Sequence, residues 1–383
     1  MKKTYLLTPG PTQVPESVLA LAAKPILHHR TPQFMSVMNE VQEGLKYLFQ
    51  TKQDVMMLSS SGTGAMEASV TNLFRKGDKV ITVNGGKFGE RWTKISKAYG
   101  LNPVEIKLEH GMAVTVSQIE EALNKNPDAR AVLFQASETS SGVQMPVKEI
   151  CELIQKKPDC ISVVDAITAL GVFDLPMDAW GIDVLITGSQ KALMLPPGLA
   201  CLSLSEKAWK AAEKSDLPKF YFDLTKERKG LAKGQTAWTP AVGLIIGLQE
   251  TLKMIKTEGL ENLFKRHRLL ADATRNAVRA LGLELLAKDS PSTSVTAVKI
   301  PAEIKEGKAV PKTMRDKYGV SIAGGQDDLE GKIFRLTHLG YVDKFDIVIG
   351  ISALEMTLRD LGYSKFEFGA GVGAVLKTFS EAK

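Results

Sequence analysis

The stretch ISVVDAITALGVFDLPMDAWGIDVLITGSQK, residues 161–191, contains two apolar, β-branched runs that each lead to a polar residue. The first run ends at Asp165, and the second is followed, after a short turn, by Lys191. Such runs are typical of buried strands, and open α/β sheets bind their ligands at strand ends. Asp165 and Lys191 are therefore candidate functional residues. The ordinary alternatives are an aspartate that caps a turn and a lysine at the surface, and each residue taken alone leaves them open.

The same alternation of elements extends outward from this stretch. From about residue 54 to residue 204, short apolar runs alternate with longer helical patterns, which is typical of crossover units on a mainly parallel sheet. This part of the chain is predicted to form one large α/β domain. Its predicted strands span 55–58, 80–83, 131–135, 161–165, 184–187 and 199–204, and its predicted helices span 65–74, 91–98, 116–124 and 147–156.

The remainder of the chain predicts a smaller α+β domain. After a Lys-rich stretch from residue 214 to residue 233, helical patterns run to about residue 255 and from 260 to 281. Strand-like runs follow over 294–300 and 333–337, with helical patterns over 309–317, 343–361 and 366–382. We divide the chain into an N-terminal segment near the active site (1–15), a large domain (16–255) and a small C-terminal domain (256–383).

Composition limits the classes of function. The 383 residues include 44% hydrophobic and 24% charged residues, and no apolar run approaches the ~18 residues of a membrane span. The net charge of +6 is spread along the chain, which disfavours nucleic acid as a partner. The three cysteines and five histidines show no metal-ligand spacing, so no metal site is predicted. We expect a cytoplasmic protein without a membrane segment.

A Ser/Gly-rich loop, SSSGTGAME over residues 59–67, follows the first predicted strand and opens a helix. The free backbone N–H groups at a helix N-terminus favour a phosphate at this position. The loop lacks the Gly-Lys-Ser/Thr of a Walker sequence and the third Gly of the dinucleotide fingerprint. The alternative is a Ser/Thr helix cap that follows a flexible turn.

Taken together, the loop, Asp165 and Lys191 match the needs of pyridoxal 5'-phosphate (PLP). This cofactor requires an anchored phosphate, a carboxylate at its pyridine nitrogen and a lysine at its aldehyde. The lysine, once released by the substrate, is also placed to move a proton. The combination is much more specific than any of its three parts.

In order and spacing, the chain resembles the class V, fold-type I aminotransferases of the alanine–glyoxylate and serine–pyruvate (serine–glyoxylate) branch. The resemblance covers nearly the whole length. It is carried by LLTPGPT (6–12), HHR (28–30), SGTG (61–64), NGGKFGER (84–91), ETSSG (138–142), VD (164–165), GSQK (188–191) and FRLT (334–337).

The resemblance implies roles for individual residues. Lys191 binds the PLP aldehyde as a Schiff base, and Asp165 contacts the pyridine nitrogen. Arg335 binds the substrate α-carboxylate, with Gly10 also at the substrate; a structural salt bridge is the alternative for Arg335. The other residues implied to contact the cofactor are Thr63, Gly64, Ala65 and Gln190 at the phosphate, Phe88 on the ring face where many relatives have Trp, Thr139 near the ring oxygen, Ile167 and Thr239.

The resemblance also implies a homodimer with shared active sites. In relatives, a stretch that matches residues 235–240 reaches the phosphate of the neighbouring subunit. Thr239 fits that pattern. Some relatives carry Tyr near Thr236, so the contact of this residue with the cofactor is not carried over.

The implied activity is a PLP-dependent transaminase that moves the amino group of alanine or serine to glyoxylate or pyruvate. No second basic residue for a distal acid group is evident in the sequence, which favours small side chains. The alternatives are an aspartate or aminophosphonate donor and a non-catalytic subunit of a larger complex such as a soluble hydrogenase. Cysteine desulfuration is disfavoured because residues 322–340 contain no cysteine.

Overall fold

A computed structural model describes residues 3–382. The strands over these residues are β1 (Tyr5–Leu6), β2 (Val55–Leu58), β3 (Lys79–Asn84), β4 (Asn102–Lys107), β5 (Ala131–Gln135), β6 (Ser137–Glu138), β7 (Val143–Gln144), β8 (Ile161–Asp165), β9 (Val184–Gly188), β10 (Ala200–Leu204), β11 (Val295–Lys299), β12 (Val320–Ser321), β13 (Ala323–Gly324) and β14 (Ile333–Thr337).

The α-helices over the same residues are α1 (Glu16–Ala22), α2 (Pro32–Phe49), α3 (Gly62–Leu73), α4 (Lys87–Ala98), α5 (Val116–Lys125), α6 (Val147–Gln155), α7 (Met177–Trp180), α8 (Glu206–Ala212), α9 (Leu224–Leu231), α10 (Val242–Glu258), α11 (Leu260–Ala280), α12 (Ala309–Tyr318), α13 (Lys344–Asp360) and α14 (Ala370–Glu381). A 3₁₀ turn spans Asp327–Leu329.

The large sheet has the strand order β2-β10-β9-β8-β5-β3-β4. Its strands pair in parallel except for β10, which is antiparallel to both of its neighbours. The predicted α/β class with a mainly parallel sheet is therefore confirmed. Strands β5, β8 and β9 end at the same edge of this sheet, which is where the site described below lies.

Two hydrophobic cores flank the large sheet, because successive side chains along a strand point to opposite faces. Val163 and Val164 of β8 lie in different cores, as do Leu133 and Phe134 of β5. Strands that are buried on both faces read as continuous apolar runs, which is why all six predicted strands of this domain occur in the structure.

The elements of the large domain that were not predicted are α1, α2, β4, β6, β7, α7, α8 and α9. Strand β4 lies at the sheet edge, contains Pro103 and is only partly buried, so its sequence NPVEIK lacks the apolar run of a central strand. Helix α2 does carry a helical signal, because its buried residues recur every three or four positions and Thr31 accepts a hydrogen bond from the backbone N–H of Phe34 as the N-cap.

The C-terminal part contains an antiparallel sheet of order β11-β14-β13, with helices α11 to α14 around its own core. Both predicted strands are present. Helix α14 begins at Ala370 and not near 366, because the Glu355 carboxylate accepts hydrogen bonds from the N–H groups of Gly369 and Val372 and so fixes the helix start. The predicted domain boundary near residue 255 stays a prediction; α10 runs to Glu258 and α11 begins at Leu260.

The N-terminal segment joins both parts of the molecule. Strand β1 pairs in parallel with β12, and Leu7 belongs to the core of the C-terminal part. The residues that follow reach the large domain, where Pro9 and Thr12 contact Lys191. Over residues 3–382, no helix is long and apolar enough to cross a membrane.

Candidate active site

Lys191 lies just beyond the end of β9, in a turn that is held by backbone and hydroxyl contacts. The Ser189 hydroxyl donates to the Pro196 carbonyl at 2.8 Å and accepts from the Leu199 N–H at 3.1 Å. The Lys191 side chain is buried, with 9% of its surface exposed, and its Nζ donates to the Pro9 carbonyl at 2.6 Å. The lysine is therefore an interior residue, which excludes the surface alternative.

Burial lowers the pKa of Lys191 to about 8, and the positive charges of Arg335 and Arg91 act in the same direction. The negative charge of Asp165 opposes this shift without cancelling it. About a tenth of the lysine at pH 7, and about half at pH 8, is consequently a neutral amine. A neutral amine can act as a nucleophile or as a base.

Gly10 packs directly against this amine. Its backbone has a φ of +141°, a conformation that favours glycine, and a Cβ at this position would overlap Lys191 Nζ. No space is therefore left for a side chain. The family resemblance implies a place for Gly10 at the substrate, and the structure places it as a wall beside Lys191.

Asp165 is the last residue of β8 and is 5% exposed. Its Oδ1 accepts a hydrogen bond from the Ile167 N–H at 2.9 Å. Burial raises the pKa of Asp165 to about 6, while the Ile167 N–H and the charge of Arg91 favour the carboxylate. A cationic ring nitrogen at this position would pair with the carboxylate and hold it ionised.

The Ser/Gly-rich loop forms the start of α3, as its sequence predicts. Ser61 is the N-cap, but its side chain makes no cap hydrogen bond. The loop is therefore not explained as a simple Ser/Thr helix cap. Gly64 and Ala65 are buried in the first turn, and Thr63 lines the pocket. The first turn of α3 therefore brings Thr63 to the same pocket as Lys191 and Asp165, and the Gly64 N–H donates to the Ser61 carbonyl at 2.8 Å.

A buried carboxylate, Glu138, joins two other parts of the pocket lining by hydrogen bonds. Its oxygens accept hydrogen bonds from the N–H groups of Phe88, Gly89 and Ser140 at 3.4, 2.8 and 3.1 Å. The next residue, Thr139, shares a 2.7 Å hydrogen bond with the Thr168 hydroxyl. Glu138 thus fixes both the start of α4, which carries Phe88, and the loop that carries Thr139.

Arg335 is the central residue of β14 and is 5% exposed. Its Nη1 donates to the Thr139 carbonyl at 3.1 Å, and its Nε and Nη2 donate to the Gly324 carbonyl at 3.0 and 2.8 Å. Burial lowers the pKa of Arg335 to about 10, which leaves it charged at neutral pH. Among the described residues, no carboxylate forms a salt bridge with Arg335, so the salt-bridge alternative does not apply.

The structure brings most of the predicted residues around one pocket. Its lining consists of Ser61, Gly62, Thr63, Phe88, Arg91, Ser137, Thr139, Asp165, Ile167, Thr168, Gln190 and Lys191. Arg335 reaches its edge through Thr139. Thr239 does not join this pocket, since it lines a separate small cavity together with Glu227, Thr236 and Trp238.

Arg91 is a pocket residue that was not predicted from the sequence. It follows Phe88 by three positions on α4 and therefore lies on the same helix face. A second basic side chain thus lines the pocket beside Lys191, although none was identified from the sequence. The helical spacing within NGGKFGER was the available signal.

The polar groups of the pocket fit PLP. The α3 N-terminus and the hydroxyl of Thr63 suit a phosphate, and the strand-end Asp165 suits a pyridine nitrogen. Gln190 also lines the pocket, and its Nε2 amide is a donor that suits a phosphate oxygen. Between residues 3 and 382, no cluster of His, Cys, Asp and Glu suits a metal ion.

The cysteines lie away from this chemistry. Cys151, Cys160 and Cys201 are buried free thiols, and burial raises the pKa of each to about 12. Such thiols are inert. None of them lines the pocket that holds Lys191.

Comparison with known proteins gives a consistent result. The family model of class-V aminotransferases matches residues 4–331. A soluble hydrogenase 42 kDa subunit from Anabaena cylindrica is 43% identical over 99% of both chains. An L-aspartate–glyoxylate aminotransferase from Paracoccus denitrificans is 35% identical, covering 98% of this chain and 96% of its own. A serine–glyoxylate aminotransferase from Methylorubrum extorquens is 34% identical, covering 97% and 95%.

Solved structures show the same architecture. Ureidoglycine–glyoxylate aminotransferase from Bacillus subtilis superposes with a TM-score of 0.94 at 29% identity, covering 100% of this chain and 99% of its own. Alanine–glyoxylate aminotransferase from Nostoc sp. superposes with a TM-score of 0.89 at 28% identity, covering 94% and 96%. The fold of both is the predicted fold-type I arrangement.

Proposed function

The chain belongs to the class-V aminotransferases, which are PLP-dependent transaminases, and from this premise we propose that it transfers the amino group of alanine or serine to glyoxylate or pyruvate. The observation that carries the proposal is a pair of buried cations, of which Lys191 lines the pocket and Arg335 reaches the pocket edge through Thr139. Lys191 has a lowered pKa, and Arg335 is charged and has no carboxylate partner among the described residues.

Arg335 is suited to bind the substrate carboxylate. Three of the five N–H groups of its guanidinium donate to backbone carbonyls, which fixes the plane of the group. The two remaining N–H groups are free for a carboxylate, the ligand that a guanidinium binds in a bidentate manner. The binding of such a carboxylate would place the substrate Cα between Arg335 and Lys191.

Lys191 is suited to move the proton of that Cα. Bound PLP supplies an electron-accepting ring that stabilises the negative charge left when the proton leaves. Nζ of Lys191 accepts the proton in its neutral form and returns it in its charged form, and its pKa near 8 permits both steps close to neutral pH. Asp165 keeps a compensating negative charge at the ring nitrogen.

The walls next to Lys191 favour small substrates. Gly10 packs against Nζ, and the Pro9 carbonyl accepts its hydrogen bond, so the N-terminal segment closes one side of the pocket. The names of the relatives point to one acceptor, because the aspartate, serine and alanine enzymes are each paired with glyoxylate. Glyoxylate is therefore the acceptor we place first.

We also propose a homodimer with shared active sites. Thr239 lies outside its own chain's pocket, in an exposed region where Phe220 and Trp238 stack with ring centroids 5.1 Å apart. Phe220 is 71% exposed in the single chain. A second copy that covers these rings would bring Thr239 to the neighbouring pocket, and sedimentation equilibrium of the purified protein tests this arrangement.

The donor experiment tests the main proposal. The PLP-loaded protein is mixed separately with L-serine, L-alanine, L-aspartate and 2-aminoethylphosphonate in the absence of an acceptor, and the visible absorption of the cofactor is followed. Loss of this absorption with serine or alanine, and its recovery with glyoxylate, is the expected result. Loss only with aspartate or the aminophosphonate would keep the transaminase and overturn the proposed donors.

The hydrogenase-subunit name of one relative gives the second candidate function, a binding subunit. A protein that takes up no PLP, and is not labelled at Lys191 after borohydride reduction with PLP, would favour that candidate. Mapping of the reduced label to another lysine would likewise contradict the role of Lys191.

A further inference from the structure

Arg91 makes contacts that the family resemblance did not assign. Its guanidinium carbon lies 5.1 Å from the centroid of the Phe88 ring, and its Nη1 donates to Thr63 Oγ1 at 2.8 Å. It therefore connects the helix that carries Phe88 with the first turn of α3. Both groups line the pocket that contains Lys191.

The charge of Arg91 is not used in a salt bridge. Within residues 3–382, no carboxylate lies within salt-bridge distance of Arg91, although Glu90 precedes it. The Glu90 carboxylate is engaged by Lys94 at 2.7 Å and Lys87 at 3.6 Å. Four of the five N–H groups of Arg91 thus remain available after the hydrogen bond to Thr63.

The remaining phosphate ligands at the start of α3 are neutral. They are backbone N–H groups, hydroxyls and the Gln190 amide, while the helix end itself supplies only about half a positive charge. A phosphate monoester carries a charge of about −1.5 to −2 at pH 7. A buried dianion with neutral ligands alone would be poorly compensated.

We propose that Arg91 is a phosphate-binding residue that supplies the missing positive charge, an inference that rests on the proposed PLP function. Its hydrogen bond to Thr63 has a second effect. Because Thr63 Oγ1 accepts from Arg91, the hydroxyl hydrogen is directed away from Arg91 and is free to donate to a phosphate oxygen. Arg91 thus binds the phosphate itself and orients a second donor toward it.

This assignment also bears on substrate choice. An Arg91 side chain that is engaged with phosphate is not available to bind a distal carboxylate of the substrate. The presence of Arg91 in the pocket is then consistent with small donors such as alanine and serine.

The test compares PLP with pyridoxal, which lacks the phosphate. Dissociation constants of both compounds are measured by absorption titration of the full-length protein freed of cofactor, for the wild type, Arg91→Gln and Arg91→Lys. Lys94→Gln is the matched control, because Lys94 is a 63% exposed cation on the same helix. The ³¹P resonance of bound PLP is recorded between pH 6 and 8 for each variant.

The expected result is a ten- to hundredfold weaker affinity of Arg91→Gln for PLP with an unchanged affinity for pyridoxal. Arg91→Lys should lie between the wild type and Arg91→Gln, and Lys94→Gln should match the wild type. The ³¹P resonance should titrate in Arg91→Gln and stay at its dianionic position in the wild type. Equal losses for PLP and pyridoxal, or no loss for either, would overturn the inference.

The two proposals fail in different ways. If the wild type binds neither compound, the PLP function itself is wrong. If the wild type prefers PLP strongly over pyridoxal and Arg91→Gln keeps that preference, only the role of Arg91 is wrong.

Discussion

Lys191, which lines the pocket, and Arg335, which lies at its edge, are both buried cations, and they differ in how the fold uses their charge. Lys191 lies at a strand end of the large sheet, where burial lowers its pKa to about 8. Arg335 lies in the middle of the small antiparallel sheet, where burial lowers its pKa only to about 10. Similar burial therefore gives one side chain whose proton is mobile and another whose charge is permanent.

The local contacts explain this difference. Lys191 Nζ has a single hydrogen bond to the described part of the chain, to the Pro9 carbonyl. Arg335 is held by the Thr139 and Gly324 carbonyls. A base must be free to leave its resting contact, whereas a carboxylate-binding group must keep its orientation through the reaction.

The largest expected effect is that of replacing Lys191, the buried cation whose proton is mobile. Lys191→Ala should lower the transamination rate by about 10⁴-fold, the upper end of what a positioned acid–base group contributes. Lys265→Ala, which changes a 71% exposed lysine, serves as the control and should keep full activity. Single-turnover kinetics with alanine measure the change. A Lys191→Ala protein within tenfold of the wild type would contradict the acid–base role.

Replacing Arg335, the buried cation that keeps its charge, should have the next largest effect. Arg335→Gln should lower kcat/KM for the amino donor by about 10²- to 10³-fold, since a buried charge-assisted pair is lost. Arg335→Lys should lose at least about tenfold, because the bidentate geometry is lost with the charge kept. The visible spectrum of bound PLP should stay unchanged in both variants. A changed spectrum would show that Arg335 acts on the cofactor and not on the substrate.

The pH dependence of the rate of PLP capture should distinguish Lys191 from Arg335 without any mutation. The nucleophile is the neutral amine, so the rate of PLP capture should rise about tenfold per pH unit up to the pKa of Lys191 near 8 and then level off. A lysine at its ordinary value of 10.5 would keep rising through pH 9. Arg335, with a pKa of about 10, stays mostly charged over this range. Stopped-flow absorption from pH 6.5 to 9.5 measures this rate. A capture rate that continues to rise beyond pH 9 would refute the lowered pKa of Lys191.

The smallest expected effect is a change in the pH dependence of stability, and it concerns His267, a buried histidine that does not line the pocket. Its Nδ1 faces the Leu263 carbonyl, and its Nε2 accepts from the Gly340 N–H at 3.0 Å. Burial lowers the pKa of His267 from 6.5 to about 3, so the unfolded chain binds more protons below pH 6.5. Its contribution to stability is present above pH 6.5 and is lost as the pH falls toward 3.

Urea unfolding of the wild type and His267→Gln measures this contribution. Between pH 7 and pH 5 the wild type should lose about 2 kcal/mol more unfolding free energy than His267→Gln. His338, which is also buried, keeps its own share of the pH dependence in both proteins. Equal losses in the two proteins would show that burial of His267 does not couple to its protonation.

The sequence predicted the elements whose burial is uniform along the chain. The central strands β5, β8 and β9 are buried at every position, so their apolar runs are unambiguous. Edge strand β4 is half exposed and was missed. Strands β12 and β13 span two residues each, too short for any periodic pattern.

The same distinction applies to the pocket. Asp165 and Lys191 follow directly from strand ends, and a strand end has a fixed place in a parallel sheet. The spacing of Phe88 and Arg91 places both on one face of α4, but whether this face lines the pocket, and whether Glu138 holds the start of α4, depends on how α4 packs against α3 and the β6–β7 loop. Their geometry is a property of tertiary packing, so the structure was needed to find Arg91.

The N-terminal segment also sets an order of events during synthesis. The Pro9 carbonyl meets Lys191 across 182 residues of sequence, and Tyr5 pairs with Val320 of the C-terminal part. At about 5–20 residues per second, the ribosome needs roughly 10 to 35 s to make the chain between Pro9 and Lys191. Residues 5–9 are thus synthesised long before the partners that they contact, and the wall that Pro9 forms beside Lys191 is complete only after both have been made.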